Sequence, residues 1–550
     1  MDDFDWQVVD DGPTAEEIAE CASLLRRISS ADLARPEFEA VREAGLPLFR
    51  RLVLKDKFGS EEVLNFLKQK SDLHQMRVKL ERLHRVVKDE HDVRRQKAET
   101  CGMNLRRKAD LAAIKAESAL PELPEVLSID DKTGSTEVTA DPAADGPENS
   151  GVRDDLQRLL NVPADSLYSN CNMCRGQYLE HHHFYHQLCP RCAEHNWEKR
   201  QQTADMNGMV CVVTGGRVRI GYQIVLKLLR AGAFVLTTTR FPCDCALRFS
   251  KEPDYEEWRS RLEVCGPLEL CDMRLVERFC DQLLRRFPRI HVLINNAAQT
   301  LTRRHGWNSR MADLEEKAAA AITGSSVAIR QPSHLAGIAL PMPPIRSHSE
   351  IVPLADANVM WGEAVALEDF PEGELDESRQ PLDLSVANSW SRRLEDVHTL
   401  ELLQTLAANT AAPFILCSRL ASALGAKESE PYGHIVNVSA LEGKFSVKNK
   451  SSGHPHTNMA KAALNMMTHT ACKDMFRRRI LMNCVDTGWV TDMAPGGVGA
   501  VAASHETWVG PPLDEQDGAA RVLDPVFSHL LDSSWLLRGK FFKNYYVCGW

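Results

Sequence analysis

Val210–Pro242 reads VCVVTGGRVRIGYQIVLKLLRAGAFVLTTTRFP. The apolar run Val210–Val213 breaks at Thr214-Gly215-Gly216, a helical pattern follows through Ile224, Leu226, Leu228 and Leu229, and a second apolar run ends in Thr237-Thr238-Thr239-Arg240. Strand, glycine turn, helix and strand within about thirty residues make a βαβ unit, and its turn is placed to hold phosphate on a helix N-terminus. From Val210 onward strand signals alternate with helical stretches: Phe234–Leu236, Leu268–Leu270, His291–Ile294, His434–Val438 and Ile480–Val485. That alternation predicts an α/β fold, a Rossmann-type doubly wound parallel sheet.

The chain has 550 residues, longer than one typical domain. An apolar fraction of 43% with 26% charged residues describes a soluble globular protein. The net charge of −10 argues against broad nucleic-acid or anionic-membrane binding. No run approaches about eighteen apolar residues, and Met1-Asp2-Asp3-Phe4-Asp5 is acidic where a signal peptide would be basic, so a cytoplasmic setting without a membrane is expected.

Four segments are expected. Residues 1–118 form a helical N-terminal region, in which Leu73, Met76, Leu80, Leu83 and Val87 make one apolar seam with 3,4,3,4 spacing. That seam suits either a helical bundle or docking of a protein partner. Residues 119–152, rich in Pro, Asp, Glu, Gly and Ser, form a disordered linker. Residues 153–205 hold Cys171-x2-Cys174 and Cys189-x2-Cys192, fourteen residues apart. Four thiolates in two CxxC pairs satisfy a closed tetrahedral Zn²⁺ site, a structural role, with a redox pair as the alternative. His181, His182, His183, His186 and His195 beside them are expected to pack or face solvent. Residues 206–550 form the Rossmann-fold domain, interrupted by an insertion at about 303–388 that carries Trp307 and Trp361. An insertion of that length suits a lid, an oligomer contact or a tolerated surface loop.

Several motifs occur in an order that resembles the short-chain dehydrogenase/reductase family. Thr214-Gly215-x3-Arg219-Ile220-Gly221 matches that family's TGxxxGxG loop, with Arg219 in place of the middle glycine. Asp272 matches an acidic residue that contacts adenine, and Asn295-Asn296-Ala297-Ala298 matches NNAG with Ala298 for glycine. Asn409 matches the tetrad asparagine, and Asp486-Thr487-Gly488-Trp489-Val490-Thr491 loosely matches a segment near the nicotinamide. The resemblance covers about three-fifths of the chain. It implies a Rossmann sheet, hydride transfer with NAD(P), a small carbonyl or alcohol substrate, and dimers or tetramers. It also implies cofactor contacts from Thr214, Gly215, Ile220, Gly221, Asp272, Asn296, Ala297, Ala298, Lys461, Thr487, Gly488, Val490 and Thr491.

An acidic residue at the end of the second strand would select NAD; an arginine there suits the 2′-phosphate of NADP. Thr239 and Arg240 stand at that place, with Arg217 and Arg219 in the loop, so NADP(H) is expected over NAD(H).

The family's reaction needs a tyrosine, a lysine four residues later, a serine and an asparagine. Lys461 is present, but Thr457 stands four residues before it, Ala440 stands at the serine position and Ser439 is one place early. An aliphatic hydroxyl is a far weaker acid than a phenol of pKa about 10. His454 and His456 just before Thr457, and Glu442 and Lys444 beside Gly443, are other candidate donors. The catalytic set is therefore Asn409, Lys461, Thr457, Ser439 and His456. Three readings follow: an oxidoreductase with an unconventional proton donor, an NADP(H)-binding sensor without turnover, and a scaffold whose zinc module and N-terminal helices bind a partner.

Overall fold

The computed structural model describes residues 101–117, 169–178, 180–322, 328–330, 367–447, 450–491, 493, 496 and 510–550. The N-terminal seam from Leu73 to Val87, the linker 119–152, residues 153–168 and the middle of the insertion lie outside the described residues.

Nine strands form one sheet in the order β11-β10-β9-β8-β6-β3-β4-β5-β7. They are β3 (Val210–Thr214), β4 (Phe234–Thr238), β5 (Leu262–Cys265), β6 (Val292–Asn295), β7 (Ala328–Arg330), β8 (Gly433–Ser439), β9 (Ile480–Asp486), β10 (Phe541–Lys543) and β11 (Tyr546–Cys548). Every pairing is parallel except the β10–β11 hairpin. A separate small ladder joins β1 (Ser169–Asn170) to β2 (Gln177–Tyr178).

Among the described residues the helices of eight residues or more are α1 (Gly102–Glu117), α2 (Pro190–Gln201), α3 (Arg219–Arg230), α4 (Pro242–Ser250), α5 (Met273–Arg286), α6 (His305–Ala321), α7 (Thr399–Leu406), α8 (Ala412–Leu424), α9 (Pro455–Arg477) and α10 (Glu515–Leu531). One apolar layer joins α3 and α10 to the sheet through Ile224, Leu228, Val213, Val522 and Val526. The other joins α5 and α8 through Phe279, Leu283, Leu416, Leu420, Leu293 and Ile435. A sheet covered on both faces is what continuous apolar strands require. The run Thr399–Leu424 is long and apolar enough to cross a membrane by composition. Its apolarity reflects this core, where Ala412, Leu416, Leu420 and Leu424 are fully buried.

The third strand departs from the sequence reading. It lies at Leu262–Cys265, and Leu268–Leu270 is a loop whose leucines are nonetheless buried. Glu263 hid it from an apolar count; that carboxylate is buried in the strand and paired with Arg286 and Arg330. Gly266-Pro267 then ends the strand. The insertion also contributes structure of its own: α6, and β7 as an added edge strand beside β5.

The chain order, β3 to β4 and β5 on one side and then across to β6 and β8 on the other, leaves a crevice at the strand ends between β3 and β6. That is where open α/β sheets bind ligands.

The cysteine module docks on this domain through α10. Arg200 of α2 reaches both carboxylate oxygens of Asp514 at 2.6 and 2.9 Å, and Asp517 at 3.0 Å. Burial pushes Asp514 up, but the Arg200 hydrogen bonds outweigh it and leave the carboxyl at about 2. Burial, then the charge of Asp514, pushes Asp517 up to about 6. Tyr185 donates to Asp517 at 2.5 Å, and Lys199 pairs with Asp524 at 2.6 Å. From α1, Arg106 adds a bond to Asp514 at 3.0 Å. Removing one member strands buried charge, so Arg200→Ala is expected to destabilise the fold by about 3–5 kcal/mol. Urea unfolding of the full chain measures this, and a loss under about 1 kcal/mol would show that the network is not holding the module.

Candidate active site

The glycine loop closes tightly against its neighbours. Gly215 has φ +73°, and its amide donates to Thr238 at 2.9 Å. A Cβ on Gly216 would lie 2.0 Å from Thr237 Oγ1, and one on Gly221 would lie 2.0 Å from the Gly215 carbonyl. Both positions need glycine for close approach. Thr214 Oγ1 accepts from the amides of Asn296 and Ala297, each at 3.0 Å. Asn296 Nδ2 returns two bonds to the carbonyls of Thr214 and Gly215. The first and fourth strands are thus locked together at the crevice. The amides of Arg219, Ile220 and Gly221, in the first turn of α3, meet no acceptor among the described residues. They form a ready anion site.

The three loop-side arginines are differently placed. Arg219 adopts φ +55°, the left-handed region natural for the glycine it replaces. Its guanidinium bonds Ser378 Oγ at 2.9 Å and Asp376 at 3.3 Å. Arg217 is buried and bonds Asp244 and Gln380, both at 2.7 Å, away from solvent. Arg240 is exposed at the end of β4, and its loose partner is Glu269 at 3.5 Å. Thr239 is buried, its Oγ1 accepting from the Phe241 amide at 3.1 Å. Asp272 caps α5, accepting from the Leu275 amide at 3.1 Å, with its carboxylate exposed. Ala298 is exposed beside the crevice.

At the other end of the crevice, Asp486 organises the loops after β8 and β9. It accepts from the Leu441 amide at 2.6 Å and from the Gly488 amide at 2.9 Å. Gly488 takes φ +78°, and Thr487 Oγ1 makes only a long 3.4 Å contact with the Gly488 carbonyl. Val490 is buried against the cysteine module, with Leu513 and, at its margin, Ile220. Thr491 is half-buried beyond it.

Lys461 and Thr457 share one face of α9, four residues apart. Both are buried. Lys461 Nζ donates to the Val438 carbonyl at 2.8 Å, and burial brings its pKa down to about 8. Thr457 Oγ1 has no hydrogen-bond partner among the described residues. Gly443 approaches α9 so closely that a Cβ would lie 2.8 Å from the Lys461 carbonyl carbon. Ser439 donates to Asn465, farther along α9, at 2.6 Å. Asn409 lies in a π-helical turn, Ala407–Ala411, between α7 and α8. Its side chain is used by the Gln299 backbone, accepting at 2.6 Å and donating at 3.0 Å. His456 lies about 140° around α9 from Lys461. Its ring faces Glu401 of α7 at 3.3 Å, and Glu401 also bonds Arg392.

The four cysteines come together. Their sulfurs all lie within 4.8 Å of one another, and Cys174 and Cys189 are 3.8 Å apart. A tetrahedron with Zn–S bonds of about 2.3 Å has sulfurs about 3.8 Å apart. Cys189 caps α2 and Cys192 sits in its first turn, while Arg175, at φ +63°, turns the first pair around. Burial pushes the Cys171 thiol up, but hydrogen bonds from the amides of Cys174, Cys189 and Met173 bring it down to about 7.

Sequence reasoning missed the residues of the insertion. Asp376, Glu377, Ser378 and Gln380 stand at the glycine loop, and Trp390 stacks on His454 with ring centres 3.9 Å apart. No motif marks them; only their acidic character hints at the arginines they meet.

Residues 382–518 match the family model described as Enoyl-(Acyl carrier protein) reductase. An uncharacterized protein, R665, of Acanthamoeba polyphaga mimivirus is 26% identical over 384 residues, which is 68% of this chain and 74% of that one. Retinol dehydrogenase 14 of Homo sapiens is 31% identical over 109 residues, 17% of this chain and 31% of that protein's length. Among solved structures, a Pseudomonas aeruginosa RhlG/NADP active-site complex aligns with TM-score 0.37 at 16% identity, over 62% of this chain and 95% of that one. The NADPH-bound carbonyl reductase from chicken fatty liver gives 0.36 at 15% identity, over 63% and 100%. The match over residues 382–518, with the ordered motifs set along this sheet, supports a resemblance to the short-chain dehydrogenase/reductase family.

A buried ammonium that donates to a neutral carbonyl and meets no carboxylate among the described residues costs stability. Lys461→Met is expected to raise the melting temperature of the ligand-free protein, by roughly 2–4 °C for each kcal/mol of burial cost relieved. A lower melting temperature in thermal unfolding would show that the lysine holds the fold instead.

Proposed function

We propose that the protein is an NADP(H)-dependent oxidoreductase whose nucleotide lies in the β3–β6 crevice, with a small carbonyl or alcohol as substrate. The observation that carries this reading is a matched pair of donors. The α3 amides lack acceptors among the described residues at one end of the crevice, and Lys461 donates to a neutral carbonyl at the other.

The residues fit the group. Gly215, Gly216 and Gly221 keep the loop low enough for a pyrophosphate to approach the α3 amides, and Arg240 stands exposed where a 2′-phosphate would select it. Bound NADPH would supply hydride, and bound NADP⁺ would accept it. Lys461 would hold ribose hydroxyls, since an ammonium has three donors and the Val438 carbonyl takes one. Thr457 shares its face and can orient a substrate oxygen by a hydrogen bond. Proton transfer through this pair is favoured over His456, whose ring is turned to Glu401.

A second reading, nucleotide binding without turnover, is favoured by Thr457 and Ala440 themselves. An aliphatic hydroxyl has lost the acidity of the phenol, and general acid–base assistance is worth about 10²–10⁴-fold in rate. We also propose that Cys171, Cys174, Cys189 and Cys192 hold a structural zinc, which stiffens the module where it abuts Val490 and Ile220.

Fluorescence titration is expected to show NADPH binding at about −8 kcal/mol, in the micromolar range, with NADH weaker; absent binding, or tighter NADH, overturns the cofactor reading. NADPH oxidation against a panel of aldehydes and ketones separates turnover from mere binding, and activity surviving Lys461→Ala would rule out the proton path. Metal analysis of purified protein is expected to find about one zinc per chain. That zinc should be lost in Cys174→Ser and in Cys189→Ser; unchanged metal content would exclude the site.

A further inference from the structure

Part of the insertion sits on the glycine loop. Leu375 and Pro381 form an antiparallel bridge, and the Leu382 amide donates to the Glu374 carbonyl at 3.0 Å. Between them the tip Asp376–Gln380 is a tight turn, with Arg379 at φ +54°. One oxygen of Asp376 accepts from the amides of Ser378 and Gln380 at 2.8 and 2.9 Å. The turn is therefore a built element and not a loose strand of loop.

Three arginines hold this tip. Arg219, the first residue of α3, bonds Ser378 Oγ and lies 3.3 Å from Asp376 and 3.9 Å from Glu377. Arg217 bonds Gln380 Oε1 at 2.7 Å. Arg248 of α4 donates to the carbonyls of Ser378 and Arg379 at 2.8 and 2.5 Å. The cation that the loop would offer to phosphate is already met by two carboxylates. Half-buried Glu515, at the start of α10, adds a third acidic group near Arg219 and Arg107.

The same segment runs on across the crevice. The Ser385 carbonyl accepts from Gly496 at 2.8 Å, Asn388 donates to the Met493 carbonyl at 3.0 Å, and Ser389 Oγ accepts from the Thr302 amide at 2.8 Å. Trp390 then stacks on His454 at the head of α9. A pyrophosphate carries negative charge to the place where Asp376 and Glu377 already neutralise Arg219. Like charges at such separations repel strongly in a partly buried site.

We propose that the tip Asp376–Gln380 is a built-in competitor at the phosphate end of the crevice, its carboxylates taking on Arg219 the place of a pyrophosphate, so that the dinucleotide binds by displacing the tip. This rests on the NADP(H) reading above. The insertion then sets the affinity for nucleotide, and whatever moves the insertion controls access.

The test is NADPH titration of the full chain carrying Asp376→Asn and Glu377→Gln, beside wild type. The dissociation constant is expected to fall at least tenfold in the variant. Equal affinity, or weaker binding by the variant, overturns the competitor and leaves the cofactor reading standing. No binding by either protein overturns both. Hydrogen exchange on wild-type protein, which needs no variant to fold, is the second readout. The amides of Ser378, Arg379 and Gln380 are expected to lose protection when NADPH saturates the crevice. Unchanged or increased protection would mean that the tip clasps the nucleotide instead of yielding to it.

Discussion

The crevice depends on one close approach of backbone to backbone. Gly216 lies so near Thr237, and Gly221 so near the Gly215 carbonyl, that neither position admits a Cβ. Thr214 Oγ1 then ties the loop to the amides of Asn296 and Ala297 across the gap between β3 and β6. Because both contacts are steric or short-range, the α3 amides are held at a fixed height over the strand ends. Everything proposed about nucleotide binding needs that height.

A second constraint couples distant parts of the chain. Asp514 and Asp517, in the capping box that opens α10, are shared among Arg200, Arg106 and Tyr185. Such a buried cluster is costly to desolvate and holds only when every member is partnered. It fixes the cysteine module against Leu513, Val490 and Ile220, residues of the loops around the crevice. A zinc bound by the two CxxC turns would therefore act next to those loops. The insertion works from the opposite flank through Arg219, Arg217 and Arg248.

The departures from the family's reaction set share a physical theme. Thr457, Lys461, Ser439 and Asn465 are buried polar groups with few partners: Thr457 Oγ1 and Asn465 Nδ2 have none among the described residues. A helix that keeps such a face buried against a sheet gives up stability that apolar residues would restore. Retaining Lys461 in that setting favours a ligand-binding role over a scaffold.

Much of this was legible in the chain. The βαβ pattern at Val210–Pro242 determined the sheet class, because strand period, glycine spacing and helix period are local properties. The two CxxC pairs determined which four sulfurs would meet, since each pair is a local turn. Lys461 and Thr457 were placed on one face by helix geometry alone. The third strand was misplaced because Glu263 looks solvated in sequence, and only its partners Arg286 and Arg330, from other elements, make a strand carboxylate tolerable. Arg217 and Arg219 looked like free phosphate ligands, and only the tertiary structure gave them Asp244, Gln380, Asp376 and Ser378 as partners. Charge is visible in a sequence, but its neutralisation is not: Asp244 lies 27 positions from Arg217 and Asp376 lies 157 from Arg219, and no spacing rule connects either pair. The sequence alone thus determined the glycine loop and the crevice of a parallel sheet; the fold decided which of its charges remain available to a ligand.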